Sequence, residues 1–277
     1  MKDSAYELKK AYEDPNTSII ISVAGGEEMV ETLSYFDANF YKSLPPKWFS
    51  GYSDNTNFSF PLTTICDVAT IYGCNFTDFG VTTWGEHQYI FKNVVEGKQL
   101  QFHAYSKCQR NDWKYEKPLA GLNLDTPTTW KNLIGGEAIE MKGRLIGGCI
   151  ECLDVLCGTP YDHMKEFSEK YKEDGIIFFF ESAEYNPLSL KRALWKLKEC
   201  GWFKHVNGIL IGRANNEETA FSYTHELVAL EIFQELGLPV ISEFDSGHVP
   251  PQIPLIMGSI CHVVSNTNEK TITFKLQ

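Results

Sequence analysis

The sequence lacks the features that would place the protein in a membrane or on nucleic acid. No apolar run approaches the roughly 20 residues that a membrane-spanning helix needs. Basic residues are in the minority, with 25 Lys and Arg against 36 Asp and Glu, so the formal net charge is -11. Because phosphates are bound by basic surfaces, this balance argues against nucleic acid as a partner. A low-complexity tract and an internal repeat are also absent, which predicts a globular protein with a substantial core.

The eight cysteines and the N-terminal residues indicate the compartment. Cys149, Cys152 and Cys157 cluster in a segment with the apolar pattern of a buried helix, and we interpret all eight as reduced core thiols. Residues 1–14 are charged and amphipathic, and they lack the apolar centre of a signal peptide. These observations predict a cytoplasmic protein with neither a metal nor another cofactor.

Residues 1–85 alternate between strand-like and helix-like patterns, which predicts an α/β domain with a mainly parallel sheet. The run of β-branched residues before Gly25 is typical of a parallel strand covered on both faces. The predicted elements are a helix over Ser4–Glu13, a strand over Ser18–Ala24, a turn at Gly25-Gly26, a helix over Glu27–Tyr35, a strand at Trp48, and a helix reaching about Ile71 that Pro61 either kinks or begins.

Ser53 stands on the predicted turn between the strand at Trp48 and the next helix. Gly51 permits the turn, and Asp54-Asn55 favour a helix start. A serine in this position faces the free N–H groups of the helix N-terminus, as in a nucleophile elbow. Asn55 replaces the second glycine of the G-x-S-x-G pattern, and simple capping of the helix would explain the same residues.

Residues 86–141 interrupt the α/β order with polar residues, aromatic residues and prolines. We predict short strands, loops and a linker between domains here. Trp113 and Trp130 lie in this segment. Aromatic rings in a long loop either stack on a ligand or pack over a domain junction.

Residues 142–277 predict a second α/β domain with a mixed sheet. The elements, in order, are a helix around Ile150–Leu156, strands and helices over Ile176–Phe180, Ser189–Cys200, Gly208–Gly212, Tyr223–Leu236 and Leu238–Ser242, and a closing hairpin of Ile260–Val264 with Thr271–Leu276.

Two polar residues of this second domain stand where chemistry is expected. Glu181 follows the most apolar predicted strand, and open α/β sheets place functional groups at such carboxyl ends, although a helix cap or a salt bridge would also use it. His248 stands in a Gly- and Pro-flanked loop after a predicted strand. With Ser53 these residues supply the nucleophile, base and carboxylate that acyl transfer requires.

A set of short motifs extends over nearly the whole chain: Ala24-Gly25-Gly26, Gly51-Tyr52-Ser53-Asp54, Leu145-Ile146-Gly147-Gly148, Gly158-Thr159-Pro160, Phe178-Phe179-Phe180-Glu181, Gly208–Arg213 and Gly247-His248. In these motifs the sequence resembles the LD-carboxypeptidase family of serine peptidases, which includes muropeptide carboxypeptidases and the microcin C self-immunity peptidase. The resemblance implies a two-domain α/β fold with the active site at the domain junction.

The resemblance implies Ser53 as nucleophile, His248 as general base and Glu181 as the carboxylate that orients it, with Glu184 as the alternative carboxylate. The amide of Asp54 and that of Gly25 or Gly26 would form the oxyanion hole. A cation must also bind the carboxylate of the substrate, for which Arg192 is the candidate, beside Arg144 and Lys191.

The implied reaction is hydrolysis of an amide next to a free carboxylate, typically the L,D-bond of a peptidoglycan-derived peptide. One alternative is immunity-type hydrolysis of a peptidyl- or aminoacyl-nucleotide conjugate, in which Trp113 or Trp130 stacks on the base. Another is a non-catalytic binding protein. The family also implies a homodimer. Because its members begin with further β-α elements, we expect an exposed edge on the N-terminal sheet.

Overall fold

The computed structural model describes residues 2–113, 115–216 and 218–276, which form an α/β structure. The described residues contain these α-helices: α1 (Lys2–Glu13), α2 (Ala38–Ser43), α3 (Thr56–Cys66), α4 (Glu86–Val95), α5 (Ile150–Leu156), α6 (Met164–Lys170), α7 (Pro187–Glu199) and α8 (His225–Glu235). The strands are β1 (Ile19–Ile21), β2 (Trp48–Ser50), β3 (Thr70–Tyr72), β4 (Gln101–His103), β5 (Lys107–Cys108), β6 (Thr126–Pro127), β7 (Lys131–Ile134), β8 (Ile139–Cys149), β9 (Ile176–Glu181), β10 (Val206–Gly212), β11 (Val240–Phe244), β12 (Leu255–Met257), β13 (Ile260–Ser265) and β14 (Lys270–Lys275).

The smaller sheet carries the elbow serine. Its order is β1-β2-β3-β12, in which the first three strands are parallel and β12 is antiparallel to β3. The turn after β2 leads through a short 3₁₀ helix, Ser53–Asn55, into α3. Strand β1 has a neighbour on one side only among the described strands, as expected for an exposed edge. A cavity of about 830 Å³ lies beside this strand and helix α1.

The larger sheet has eight strands in the order β4-β14-β13-β8-β9-β10-β11-β7. Strands β8 to β11 are parallel, and the outer strands are antiparallel, so the sheet is mixed as predicted. The predicted linker 86–141 supplies β4 and β7, the two edges of this sheet. The smaller sheet in turn takes β12 from residues 142–277, so neither sheet is built from one predicted segment alone.

Two predictions about individual elements are wrong. The helix predicted to reach Ile71 ends at Cys66, because Asp67 adopts a left-handed conformation (φ 62°) and Thr70–Tyr72 form β3. Pro61 lies inside this helix. Residues 86–141 are not free of helix, since Glu86–Val95 form α4 with His87, Ile90, Phe91 and Val94 on its buried face.

Strand β9 lies in the middle of the main hydrophobic core, and its residues Ile176 to Glu181 are all buried. Burial on both faces explains why this strand reads as a continuous apolar run rather than an alternating one. A smaller aromatic cluster of Tyr12, Tyr41 and Phe58 packs α1 and α2 against α3. These two cores fix the positions of the elbow and of the end of β9.

The eight cysteines are all free thiols, and six of them are buried. None of the helices in the described ranges is long and apolar enough to cross a membrane.

Candidate active site

The backbone of Ser53 is held in a conformation that few non-glycine residues adopt. Its φ is 64°, in the left-handed region, at the start of the 3₁₀ turn between β2 and α3. Such a conformation costs about 1–3 kcal/mol and persists only where its surroundings enforce it. Asn55 provides this support, because its side-chain amide donates to the carbonyls of Ala24 and Tyr52 and to Oδ1 of Asn75. A Cβ on Gly51 would lie 2.7 Å from Cγ of Asn55, so only glycine leaves room for this amide.

Ser53, His248 and Glu181 form one hydrogen-bonded chain. Nε2 of His248 lies 2.9 Å from Oγ of Ser53, and its Nδ1 lies 2.8 Å from Oε2 of Glu181. Glu181 is fully buried, whereas the His248 side chain keeps 20% of its surface exposed. This order of hydroxyl, imidazole and carboxylate is the one that activates a serine. The three residues come from three distant segments of the chain, and the sequence motifs predicted each of them.

Glu184, the alternative carboxylate, is exposed, and its backbone N–H donates to Oε1 of Glu151 at 2.9 Å. Ser182 and Tyr185 donate to the same oxygen. Glu151, which no sequence motif indicated, therefore organises the loop that leaves β9 next to Glu181. Its neighbour Cys152 lies against the elbow, with Sγ 3.6 Å from the carbonyl oxygen of Ser53.

Tyr72 is a further residue that the sequence did not reveal. It is fully buried at the end of β3, and its hydroxyl donates to Oε1 of Glu181 at 2.5 Å. The same hydroxyl accepts the backbone N–H of Ser53 at 3.2 Å. Tyr72 thus contacts both ends of the hydrogen-bonded chain.

Two backbone segments, one at the end of β10 and one just before His248, approach Glu181 so closely that each requires glycine. Gly247 has a φ of 95°, and a Cβ there would lie 2.5 Å from Cγ and from Oε2 of Glu181. A Cβ on Gly212, at the end of β10, would lie 2.6 Å from Cβ of Glu181. These contacts explain two glycines among the motifs and place the His248 ring beside the carboxylate.

We expect Gly247→Ala to reduce kcat at least 10-fold, because the new methyl group displaces either Glu181 or the His248 loop. Gly237→Ala is a matched control, since Gly237 also has a left-handed backbone (φ 67°) but a Cβ there would have no neighbouring atom within 4 Å. Both variants should lose about 1 kcal/mol or more of unfolding free energy from backbone strain. Steady-state kinetics and thermal unfolding separate the two effects, and equal kcat values for both variants would contradict the prediction.

A buried ion pair shapes the loop that carries His248. Arg213 and Asp245 are both fully buried and paired with each other. Arg213 also donates from Nε to the carbonyl of Val249 at 3.0 Å and from Nη2 to the carbonyl of Pro251. The guanidinium therefore holds the backbone that follows His248 and pairs with the Asp245 side chain that precedes it.

The three predicted oxyanion-hole residues lie together around Ser53. A Cβ on Gly25 would lie 3.2 Å from Oγ of Ser53, so the Gly25 backbone lies beside the hydroxyl. Gly26 lies next to the carboxylate of Asp54, which accepts the backbone N–H of Met29 at 2.9 Å and thereby holds the glycine loop against the elbow. The Gly25-Gly26 turn and the Ser53 elbow therefore lie against each other, which is the proximity that the predicted oxyanion hole requires.

Electrostatics favour an ionised pair of Glu181 and His248. Burial alone lowers the pKa of His248, but the Glu181 carboxylate, with Glu151 and Glu184, raises it above its ordinary value. Burial alone raises the pKa of Glu181, but the charge and hydrogen bond of His248 and the Tyr72 hydroxyl lower it overall. The carboxylate therefore stays ionised and stabilises an imidazolium.

The two tryptophans proposed for ligand stacking occupy different environments. Trp130 is 1% exposed, stacks near Phe244 and donates from Nε1 to Oδ2 of Asp245 at 2.7 Å. Its ring belongs to the core, and the expectation of a free stacking face is corrected. Trp113 is half-buried, and the Lys117 ammonium lies 4.0 Å from its ring centroid.

The candidate cations also differ. Arg144 lies at the opposite end of β8 from the triad. Its strand partner is Ile176, whereas the strand partner of Glu181 is Cys149, and the distance from Arg144 to Cys149 along the strand is about 16 Å. Lys191 is paired with Glu231 on α8. Arg192 is exposed on α7, and no hydrogen bond joins it to the triad in the described part of the chain.

Comparisons with known proteins extend over both halves of the chain. The model of the LD-carboxypeptidase N-terminal domain matches residues 1–73, and that of the LD-carboxypeptidase C-terminal domain matches residues 142–263. YocD of Bacillus subtilis (strain 168), which is named as a carboxypeptidase, is 26% identical to this chain. The alignment covers 95% of this chain and 78% of YocD. The microcin C7 self-immunity protein MccF of Escherichia coli is 25% identical over 93% of this chain and 74% of its own.

Solved structures show the same fold. The crystal structure of an MccF-like protein from Streptococcus pneumoniae in complex with AMP superimposes with a TM-score of 0.80 at 23% identity. The alignment covers 99% of this chain and 83% of that one.

Proposed function

This chain belongs to the LD-carboxypeptidase family, and on that premise we propose that it is a serine carboxypeptidase that hydrolyses an amide next to a free carboxylate. The preferred substrate is the L,D-bond of a peptidoglycan-derived peptide. The observation that carries the proposal is the unbroken hydrogen-bonded chain from Ser53 through His248 to the buried Glu181. A structural role alone does not require a strained serine backbone at the end of such a chain.

In the proposed mechanism Oγ of Ser53 attacks the amide carbonyl while Nε2 of His248 takes the hydroxyl proton. Glu181 fixes the imidazole tautomer and stabilises the imidazolium. The amides of Asp54 and of Gly25 or Gly26 donate to the oxyanion of the tetrahedral intermediate. His248 then protonates the leaving amine, and a water molecule, deprotonated by the same imidazole, hydrolyses the acyl-enzyme.

The carboxylate next to the scissile bond requires a positively charged partner, because a net charge of -11 repels an anionic substrate. We propose Arg192, which is exposed on α7, as the candidate. Arg144 and Lys191 are less suitable because each is paired with an acidic side chain.

A second candidate function is immunity-type hydrolysis of a peptidyl- or aminoacyl-nucleotide conjugate. Two observations favour it: MccF is named for microcin C7 self-immunity, and an MccF-like structure contains AMP. In that reaction Trp113 would offer its ring to the base. The chain just before Trp113 lies beside the histidine loop, since the backbone N–H of Gln109 donates to the carbonyl of Pro250.

Product release from two substrates tests the proposal. One is an L,D-tetrapeptide, followed by release of its terminal D-amino acid, and the other is an aminoacyl-nucleotide conjugate, followed by release of the amino-nucleotide. Turnover of the tetrapeptide supports the carboxypeptidase, and turnover of only the conjugate selects the second function. If a folded protein turns over neither, a binding protein without catalysis is the better description.

We expect the acid limb of the kcat/KM profile to lie above pH 6.5, because the raised pKa of His248 keeps the imidazole protonated, and therefore inactive as a base, to higher pH. Removal of one raising charge in Glu184→Gln should move this limb to lower pH. Glu166→Gln, a substitution on the exposed side of α6, is the control and should leave the limb in place. A limb at or below pH 6.5 in the unmodified protein would contradict the assignment.

We further propose that the protein works as a homodimer in the cytoplasm. The one-sided pairing of β1 leaves a strand edge that a second chain could cover. Light scattering after size exclusion tests the dimer, for which a mass of one chain would be the contrary result.

A further inference from the structure

The triad is part of a closed ring of hydrogen bonds rather than an open chain. From Oγ of Ser53 the ring passes through the His248 imidazole to Oε2 of Glu181. From Oε1 of the same carboxylate it continues to the Tyr72 hydroxyl, which accepts the backbone N–H of Ser53. The nucleophile therefore enters the ring twice, once by its side chain and once by its backbone.

Tyr72 adds a second and more direct link between the two sheets that the triad already connects through His248. It lies on β3 of the smaller sheet, whereas Glu181 ends β9 of the larger sheet. Its ring packs edge-on against Phe179 with the centroids 5.2 Å apart, so the hydroxyl position is fixed by the core. A phenol donates one hydrogen and accepts another, which is what this position between an ionised carboxylate and an amide requires.

The contact with Ser53 has a second consequence. Because Tyr72 accepts the N–H of Ser53, this amide is directed toward the protein interior and away from a substrate carbonyl. The left-handed backbone of Ser53 therefore gains a hydrogen-bond partner, which offsets part of its strain.

From this geometry we infer that Tyr72 is a positioning residue of the reaction: its hydroxyl sets the orientation and basicity of the Glu181–His248 pair and holds the nucleophile elbow against it. The inference rests on the proposed function, in which His248 is the base. It predicts that loss of the hydroxyl changes the imidazole itself and not only the stability of the fold.

The direction of the change follows from the carboxylate. While Tyr72 donates to Glu181, part of the carboxylate charge is taken up by the phenol. Without this donor, Glu181 attracts the imidazolium more strongly, so the pKa of His248 rises. The other titratable groups that face the pair from the packed elements remain in place and are Tyr52, Cys149, Glu151 and Glu184.

The test compares Tyr72→Phe with Tyr12→Phe. The Tyr12 hydroxyl is also buried but has no hydrogen-bond partner among the described residues, so its removal is a matched control for loss of a buried phenol group. The imidazole pKa of His248 is measured by NMR titration in both variants and in the wild type. We expect a rise of about 0.5–1 pH unit in Tyr72→Phe and no change in Tyr12→Phe.

Steady-state kinetics supply the second readout. We expect kcat of Tyr72→Phe to fall roughly 10-fold with KM unchanged and with the acid limb moved to higher pH. A folded Tyr72→Phe protein with the wild-type imidazole pKa would overturn the inference. If the variant does not fold, an NMR pH titration of the wild-type protein replaces it as the test. The ¹³Cζ resonance of Tyr72 is expected to shift as His248 titrates, and a resonance that does not shift would overturn the inference.

These readouts separate the inference from the function. If the wild-type protein hydrolyses neither substrate but the imidazole pKa still rises in Tyr72→Phe, the proposed function fails and the positioning role of Tyr72 stands. If hydrolysis depends on Ser53 and Tyr72→Phe matches the wild type in both readouts, the function stands and the inference fails.

Discussion

Replacement of Ser53 by alanine is expected to reduce kcat by roughly 10³- to 10⁶-fold while the fold stays near native. The hydroxyl is the proposed nucleophile, and alanine offers the His248 imidazole nothing to activate. Alanine keeps the same backbone position, and the hydrogen bond from the Ser53 N–H to Tyr72 remains available. Product release from the preferred substrate gives the loss, and circular dichroism with thermal unfolding shows that the fold is retained.

Residues that act as one unit give losses that do not add. The double variant Ser53→Ala/His248→Ala should therefore be little worse than Ser53→Ala alone. Serine-independent turnover, in which the folded Ser53→Ala protein keeps the wild-type rate, would remove Ser53 as the nucleophile.

Replacement of Arg213 by methionine is expected to lower the free energy of unfolding by about 3–5 kcal/mol, because an unpaired carboxylate remains buried. Asp245 would then keep only the donors of Tyr105 and Trp130, and the carbonyls of Val249 and Pro251 would lose their guanidinium. The histidine loop should loosen, so that kcat falls as well. Urea unfolding and steady-state kinetics measure the two effects.

Lys198→Met is the matched control for this substitution. Its ammonium pairs with Glu235 near the surface at 2.7 Å, and such pairs contribute about 0–1 kcal/mol. The deficit of Arg213→Met relative to the wild type should also shrink at low pH, where Asp245 can be protonated and no longer carries a buried charge. A deficit that equals that of Lys198→Met would show that the buried pair does not hold the loop.

The elements that could be predicted from the sequence are those whose residue pattern lies within the element itself. The continuous apolar run of β9, the capped helix α7 and the closing hairpin β13–β14 are found close to their predicted bounds. The elbow and the histidine loop could be recognised because glycines and helix-start residues mark turns in the chain. The fold class, α/β with a mainly parallel and a mixed sheet, is confirmed.

Other elements depended on tertiary context. The end of α3 is set by Asp67 in a left-handed conformation, which no residue pattern announces, and β3 therefore appeared as part of the helix. Helix α4 carries apolar residues at helical spacing, but the surrounding prolines and polar residues dominated the interpretation. The burial of Trp130 follows from the packing of β7 at the edge of the larger sheet.

The candidate site could be predicted in part for a similar reason. Ser53, Glu181 and His248 each follow a strand, where chemistry is expected. Tyr72 contacts Glu181 across 109 positions of the chain, and a single tyrosine at the end of a strand gives no sign of such a contact. The buried pair of Arg213 with Asp245 could not be predicted from the sequence either, because nothing near either residue indicates the other.

The central claim, that Ser53 is an activated nucleophile, is tested most directly by covalent labelling with a fluorophosphonate. The serine oxygen would bond to phosphorus, fluoride would leave, and His248 would accept the proton. Intact-protein mass spectrometry should show one adduct per chain, and peptide mapping should locate it on Ser53, with no adduct on Ser53→Ala and slower labelling of His248→Ala. An unlabelled folded protein, or an adduct on another residue, would contradict the account.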